Sequence, residues 1–273
     1  MNRMTLWGAL VAALIAALLA GPVVAQDAVQ GAVQDRGDQP TGETPAVSAQ
    51  ELPTADELFE RHIEAIGGRD AVFAQTSRRI SGIYTGPPFE FPVRLTIWQD
   101  APNRFHLRLA EPAGATMDVG FDGKTGWRAV SGASAQKLEG QDLAELRQTA
   151  DFYGEANYSV RYPERQTVGT ATLGDKSVYV VAVKTIDGRE LFVMFDTETG
   201  LFTGTRSKFA DPSGAVREMI SVISEYEDAG GVLYPRRIEQ LIGGLEKRIT
   251  YEYRKVEVDV PDDGHDYSMP GDG

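Results

Sequence analysis

The sequence predicts an α+β domain built on an antiparallel β-sheet of about ten strands, and three observations carry that expectation. Apolar and polar residues alternate through most of the chain after Arg78, turn signals punctuate the alternation at hairpin spacing, and two amphipathic segments break it with helical spacing.

The first helix is written in residues 54–68. Thr54 and Glu57 have the spacing of a capping box, in which each side chain satisfies a backbone N–H of the other. Phe59, Ile63 and Ile66 then fall on one helical face, and Gly67-Gly68 stops the helix. Residues 70–75 have room for one further turn. Period two follows: Val93, Leu95 and Ile97 share one side of a strand, as do Phe105, Leu107 and Leu109, and then Met117, Val119 and Phe121. Gly86-Pro87-Pro88, Ala101-Pro102-Asn103, Asp122-Gly123, Asp187-Gly188 and Gly243-Gly244 mark the turns. Residues 141–152 place Leu143, Leu146 and Ala150 at helical spacing, which predicts the second helix. Residues 178–183 and 191–195 are apolar at nearly every position, so both of their faces need shielding from water. Either helices cover part of the sheet there or the sheet curls around an interior. The later runs, residues 218–226, 232–242 and 248–256, return to alternation and read as half-exposed strands.

Domain organisation follows from composition. Arg3, the apolar run 6–19 and the small residues Val23-Val24-Ala25 have the pattern of a cleavable export signal, with the cut after Ala25. A spanning helix needs about 20 apolar residues, more than this run supplies. Residues 26–53 are acidic and rich in Gln, Gly, Pro and Thr, and they read as a disordered linker. Residues 54–260 form one domain, and 261–273 read as a flexible acidic tail. The chain has no cysteine, which excludes disulfides, thiol chemistry and a thioether lipid anchor. Its net charge of −13 repels nucleic acid and anionic headgroups.

The chemistry-bearing residues do not cluster. His62, His106 and His265 are scattered; His62 lacks the second histidine that a zinc-binding helix requires, and His265 stands in the acidic tail. Ser131, Ser134 and Ser221 have no nucleophile-elbow pattern, and no phosphate-cradling loop occurs. No catalytic residue, metal site or cofactor is assigned on this basis. Large apolar side chains on strands are plentiful, among them Trp98, Phe105, Met117, Phe121, Trp127, Phe192, Met194 and Phe195. They fill a core, or, if the sheet is strongly curved, the surplus lines a ligand cavity.

The order of these pieces resembles the LolA/LolB/LppX type of periplasmic lipoprotein-sorting or lipid-carrier domain over residues 54–260. The resemblance rests on Ile66-Gly67-Gly68 closing the first helix, Asp100-Ala101-Pro102-Asn103-Arg104-Phe105 entering a strand, Phe121-Asp122-Gly123-Lys124-Thr125-Gly126-Trp127, and Val232-Leu233-Tyr234-Pro235-Arg236-Arg237-Ile238. It implies a strongly curved sheet forming a half-open barrel whose concave apolar side is covered by helices. It also implies a non-enzymatic, monomeric periplasmic carrier of a lipid or of lipoprotein acyl chains, used in outer-membrane lipoprotein sorting. On that reading the cavity residues are Trp98, Phe105, Leu107, Met117, Val119, Phe121, Trp127, Phe192 and Met194. Arg94 and Arg104 are the candidates for the arginine that holds the family's lid. The linker and the acidity set this chain apart from typical members. An envelope protein-interaction module with a filled core is the alternative.

Overall fold

A computed structural model describes residues 52–211, 214–243, 248–262 and 264–271. The predicted export signal and nearly all of the predicted linker lie outside these residues. Thr54 opens α1 (Ala55–Ala65) with the capping box that the sequence announces: the Glu57 N–H donates to Thr54 Oγ1 at 3.2 Å, and the Thr54 N–H donates to Glu57 Oε2 at 2.8 Å. A single turn, α2 (Arg69–Ala74), follows.

Five strands then succeed one another: β1 (Ser77–Thr85), β2 (Val93–Asp100), β3 (Arg104–Ala110), β4 (Thr116–Phe121) and β5 (Gly126–Val130). After the two-residue β6 (Gln136–Lys137) come α3 (Gly140–Ala150) and the short α4 (Tyr158–Arg161). The second run comprises β7 (Glu164–Leu173), β8 (Lys176–Lys184), β9 (Glu190–Asp196), β10 (Phe202–Ala210), β11 (Val216–Ala229), β12 (Val232–Ile242) and β13 (Ile249–Val258).

All thirteen join one antiparallel sheet in the order β6-β5-β4-β3-β2-β1-β13-β12-β11-β10-β9-β8-β7. The pairing of β1 with β13 joins two meanders back to back, and β6 and β7 remain as unpaired margins. Among the described residues thirteen strands replace the roughly ten expected, because β6 is too short for any alternation to register, while β7 and β10 are too polar to show it.

Register fixes which side chains share a face. Leu95 lies opposite Leu109, Leu109 opposite Met117, and Leu107 opposite Val119. In the other meander Val181 faces Val193. These residues, together with Tyr251 and Ile238, make one continuous core with Leu58, Phe59 and Ile63 of α1 and Leu146 and Ala150 of α3. Each helix has its own seat. The ring of Phe59 stacks on Tyr158 at 4.6 Å and meets Phe195 of β9 edge-on at 5.0 Å, while His62 Nδ1 accepts the Phe202 N–H at 3.1 Å. Burial holds the pKa of His62 below the usual imidazole value. Helix α3 lies across β3–β5, where Gly126 makes room for it: a Cβ there would stand 2.7 Å from Leu143 and 3.0 Å from Leu146.

One contact shows that the sheet bends. Glu145 of α3 meets Arg189, in the β8–β9 hairpin, at 3.4 Å, and Gln148 Nε2 donates to Asp187 Oδ1 at 2.8 Å. Seven strand spacings separate β3 from β9, about 34 Å in a flat sheet. An 11-residue helix seated on β3–β5 is only about 16 Å long, so the far meander must turn back toward it.

Candidate functional site

Among the described residues a cavity of about 190 Å³ opens on the helix-bearing face. Its floor is apolar, formed by Ile80, Ile97, Phe105, Ile223, Ile238 and Tyr253 from six strands. Helices reach this part of the sheet only with their ends and edges, through Gln148 and Thr149 of α3, Val72 of α2 and Arg161 of α4. Asp151, Phe152, Gly154 and Glu155 of the irregular segment after α3 line the cavity beside them. On the other side stand Phe202, Tyr226 and Tyr234. Glu225 has a φ of +58° and interrupts the pairing of β11 with β12, which brings Tyr226 onto the cavity side with its hydroxyl donating to Phe202 O at 2.6 Å. Tyr234 donates to Gln75 Oε1.

Polar groups enter this apolar space from one side. Arg78, at the start of β1, donates from Nη2 to Phe152 O at 2.6 Å, and its guanidinium carbon lies 4.1 Å from the Phe152 ring centre and 5.2 Å from that of Tyr234. Its Nε is buried and has no hydrogen-bond partner. Arg161 repeats the pattern: its Nε is also buried without a partner, and its charged end lies 5.5 Å from the Tyr162 ring centre. A buried donor left unsatisfied costs about 1–3 kcal/mol, so two of them beside one cavity call for an acceptor. Asp151 shares this side. Burial raises its pKa above the usual carboxylate value, against the pull of Arg161 and Arg78, and no ion pair within 4.0 Å joins it to either among the described residues. Glu155 stands beside them, exposed to solvent.

The predicted cavity residues separate into three groups. Phe105 lines the cavity. Leu107, Met117, Val119 and Phe121 share its face but are packed into the core of the β2–β5 meander. Trp98, Trp127, Phe192 and Met194 have the opposite parity: Trp98 pairs with His106, His106 with Gly120, and Gly120 with Trp127 across the sheet, while Phe192 and Met194 flank the inward Val193. They belong to the outer face. Arg94 and Arg104 are exposed and do not line the cavity; the arginines that do are Arg78 and Arg161.

The outer face corrects two further expectations. His106 and His265, scattered in sequence, meet with Nδ1 and Nε2 2.9 Å apart, and His106 Nε2 lies 2.8 Å from Asp118 Oδ1. Burial alone would raise the Asp118 pKa, but bonds from His106 and Arg108 hold it below the usual value. His265 stacks on Trp98 at 4.4 Å with the planes 7° apart, and Trp127 Nε1 donates to Tyr267 O at 2.9 Å. Residues 265–267, expected in a flexible tail, thus lie against the sheet, because two outward tryptophans offer them an apolar bed. Gly120 is part of that bed: a Cβ there would stand 2.3 Å from the Trp127 ring.

No protein-family model and no curated protein sequence matches the chain. Solved structures do. A LolA superfamily protein from Nitrosomonas europaea superposes with a TM-score of 0.50 at 17% identity, covering 77% of this chain and 96% of its own. A DUF1329 family protein from Desulfovibrio piger gives a TM-score of 0.52 at 9% identity, covering 76% of this chain and 93% of its own. The likeness is one of architecture: this chain has a LolA-like fold.

Proposed function

Starting from that fold, we propose that the chain is a non-enzymatic protein, exported to the periplasm with cleavage after Ala25, that holds an apolar molecule on the concave, helix-covered side of its sheet. The observation that carries this reading is the cavity of about 190 Å³ with its six-residue apolar floor. Each methylene moved from water onto such a floor contributes roughly 0.8 kcal/mol, so a hydrocarbon chain needs few polar contacts to bind. Carriage of a lipid or of a lipoprotein acyl chain, as in outer-membrane lipoprotein sorting, is the activity this arrangement suits. The protein acts as a monomer without a cofactor.

Organic extraction of the chain purified from an envelope fraction, followed by mass spectrometry, tests the proposal. A stoichiometric hydrocarbon-bearing molecule is expected, together with saturable uptake of a fluorescent fatty-acyl probe. Absence of both sinks it. A second reading, an envelope protein-interaction module, is favoured by the packed state of Leu107, Met117, Val119 and Phe121 and by the exposure of Phe91 and Ile186 in two hairpin loops. Crosslinking in intact cells should then trap a partner through those loops, and Phe91→Ser with Ile186→Ser should abolish the adduct while leaving probe uptake unchanged.

A further inference from the structure

The cavity is also selective in its polar side, and this inference rests on the ligand-binding reading above. We infer that it takes a single-tailed amphiphile with a monoanionic head, a long-chain carboxylate, its head between Arg78 and Arg161 and its tail on the floor formed by Ile80, Ile97, Ile223 and Ile238.

Three observations converge on that ligand. The first is the pair of buried guanidinium Nε atoms with no partner in the protein. Among the described residues the Arg161 side chain makes no hydrogen bond, and its charged end lies beside the Tyr162 ring. Arg78 spends one Nη on Phe152 O and is clamped between the Phe152 and Tyr234 rings, which fixes its plane and leaves Nε to bond elsewhere. Planar, charge-assisted donors in this setting suit a carboxylate, which accepts from both at once.

The second observation is the charge that faces them. The two arginines stand with Asp151, half-buried as they are, and with Glu155, which is exposed to solvent and acts on the cavity tyrosines Tyr226 and Tyr234 only from the rim. Among the half-buried groups that line the cavity, two positive charges meet one negative, which leaves room for one further negative charge. A dianionic phosphomonoester would overload the same space, and a cationic head would face two like charges.

The third is size. Cavities that enclose drug-sized ligands run from about 300 to 1,000 Å³. At about 190 Å³ this one accommodates one hydrocarbon tail.

Titration of the full chain with dodecanoate, dodecanol and dodecyltrimethylammonium, all below their micellar concentrations, decides the matter by calorimetry. Dodecanoate is expected to bind at least about tenfold more tightly than dodecanol, with the ammonium weakest. Arg161→Gln should weaken dodecanoate about tenfold and leave dodecanol unchanged, and Arg161→Lys should restore part of the loss. Because the Arg161 side chain has no hydrogen bond among the described residues to lose, only its ring contact and its attraction to Asp151, this variant is expected to stay folded with a melting temperature within a few degrees of wild type. Arg78→Gln is the companion variant, with its fold checked by circular dichroism. Equal affinity for dodecanoate and dodecanol overturns the head-group assignment while the apolar-ligand reading stands; no binding of either overturns both. Uptake of diacylphosphatidylglycerol from vesicles as tight as that of dodecanoate overturns the single-tail assignment.

Discussion

The two ends of the helix-bearing face are filled, and the stretch between them is not. Over β3–β5, α3 sets Leu143 and Leu146 directly against Gly126, and Leu146 is fully buried. Over β9 and β10, α1 sets Phe59 and His62 against Phe195 and Phe202. Between these seats, over β1, β13 and β12, helices reach only with their ends and edges, the irregular segment 151–155 lies beside them, and there the cavity opens. A helix presents side chains at a regular pitch that interdigitate with a pleated sheet; an irregular segment must keep its backbone polar groups satisfied and cannot press a continuous apolar stripe downward. The void is thus a consequence of where the helices stop.

The largest test of this contrast is Leu146→Ala. In a filled seat the lost methyl groups leave a hole that nothing can enter, so denaturant unfolding should show a loss of about 2–5 kcal/mol. A cost well under 1 kcal/mol would mean that the α3 seat is as loose as the cavity.

Next comes the clasp between the two meanders, Glu145 with Arg189. Burial pushes the Glu145 pKa up to about 7, against the pull of Arg189. The folded state therefore keeps a proton between pH 4.5 and 7 that the unfolded chain has released, so this group makes stability fall as pH rises through that window, by roughly 3 kcal/mol in all. His62 in the α1 seat acts oppositely: its lowered pKa means the folded state refuses a proton that the unfolded chain binds, so stability falls as pH drops below 6.5. The two seats oppose one another in the same pH range. Glu145→Gln removes one side of the balance, and the stability difference between variant and wild type should change by roughly 3 kcal/mol from pH 4.5 to 8. A difference independent of pH would show that Glu145 is not held in this environment.

Ile223→Trp sharpens the contrast from within the cavity. An indole there should occupy free space, lower acyl-probe affinity at least about tenfold, which is about 1.4 kcal/mol, and move the unfolding free energy by under about 1 kcal/mol. Leu107→Trp, in the filled meander, should instead destabilise by about 1–3 kcal/mol and spare binding. Smallest of all is His265→Ala on the outer face. Loss of the stack on Trp98 should cost about 0.5–1.5 kcal/mol and alter tryptophan fluorescence, with no effect on probe uptake.

Much of the scaffold was legible in the residues. The capping box of α1, the apolar triads of β2, β3 and β4, and the helical spacing of Leu143, Leu146 and Ala150 each appear where the pattern placed them. β7 and β10 escaped because Glu164–Leu173 and Phe202–Ala210 carry Thr, Arg and Lys where alternation would need apolar residues. The site was harder to read. Ile97 and Trp98 are neighbours and so lie on opposite faces, as do Val193 and Met194; choosing positions by side-chain size mixed the two faces, where parity would have parted them. Arg78, Arg161 and Tyr226 carry no local signal at all. They come together only because β1, α4 and β11 border the same gap, and that adjacency comes from the back-to-back joining of the two meanders through β1 and β13.

The unpaired margins of the sheet carry a last consequence. β6 offers only two residues, and β7 is a polar strand that begins Glu164-Arg165 and loses register between Thr167 and Gly169. Neither presents a long, flat, greasy row of free amides to an identical neighbour. Fibrillar stacking between copies is thereby discouraged at both borders, in a chain that has no disulfide to fall back on if it partly unravels.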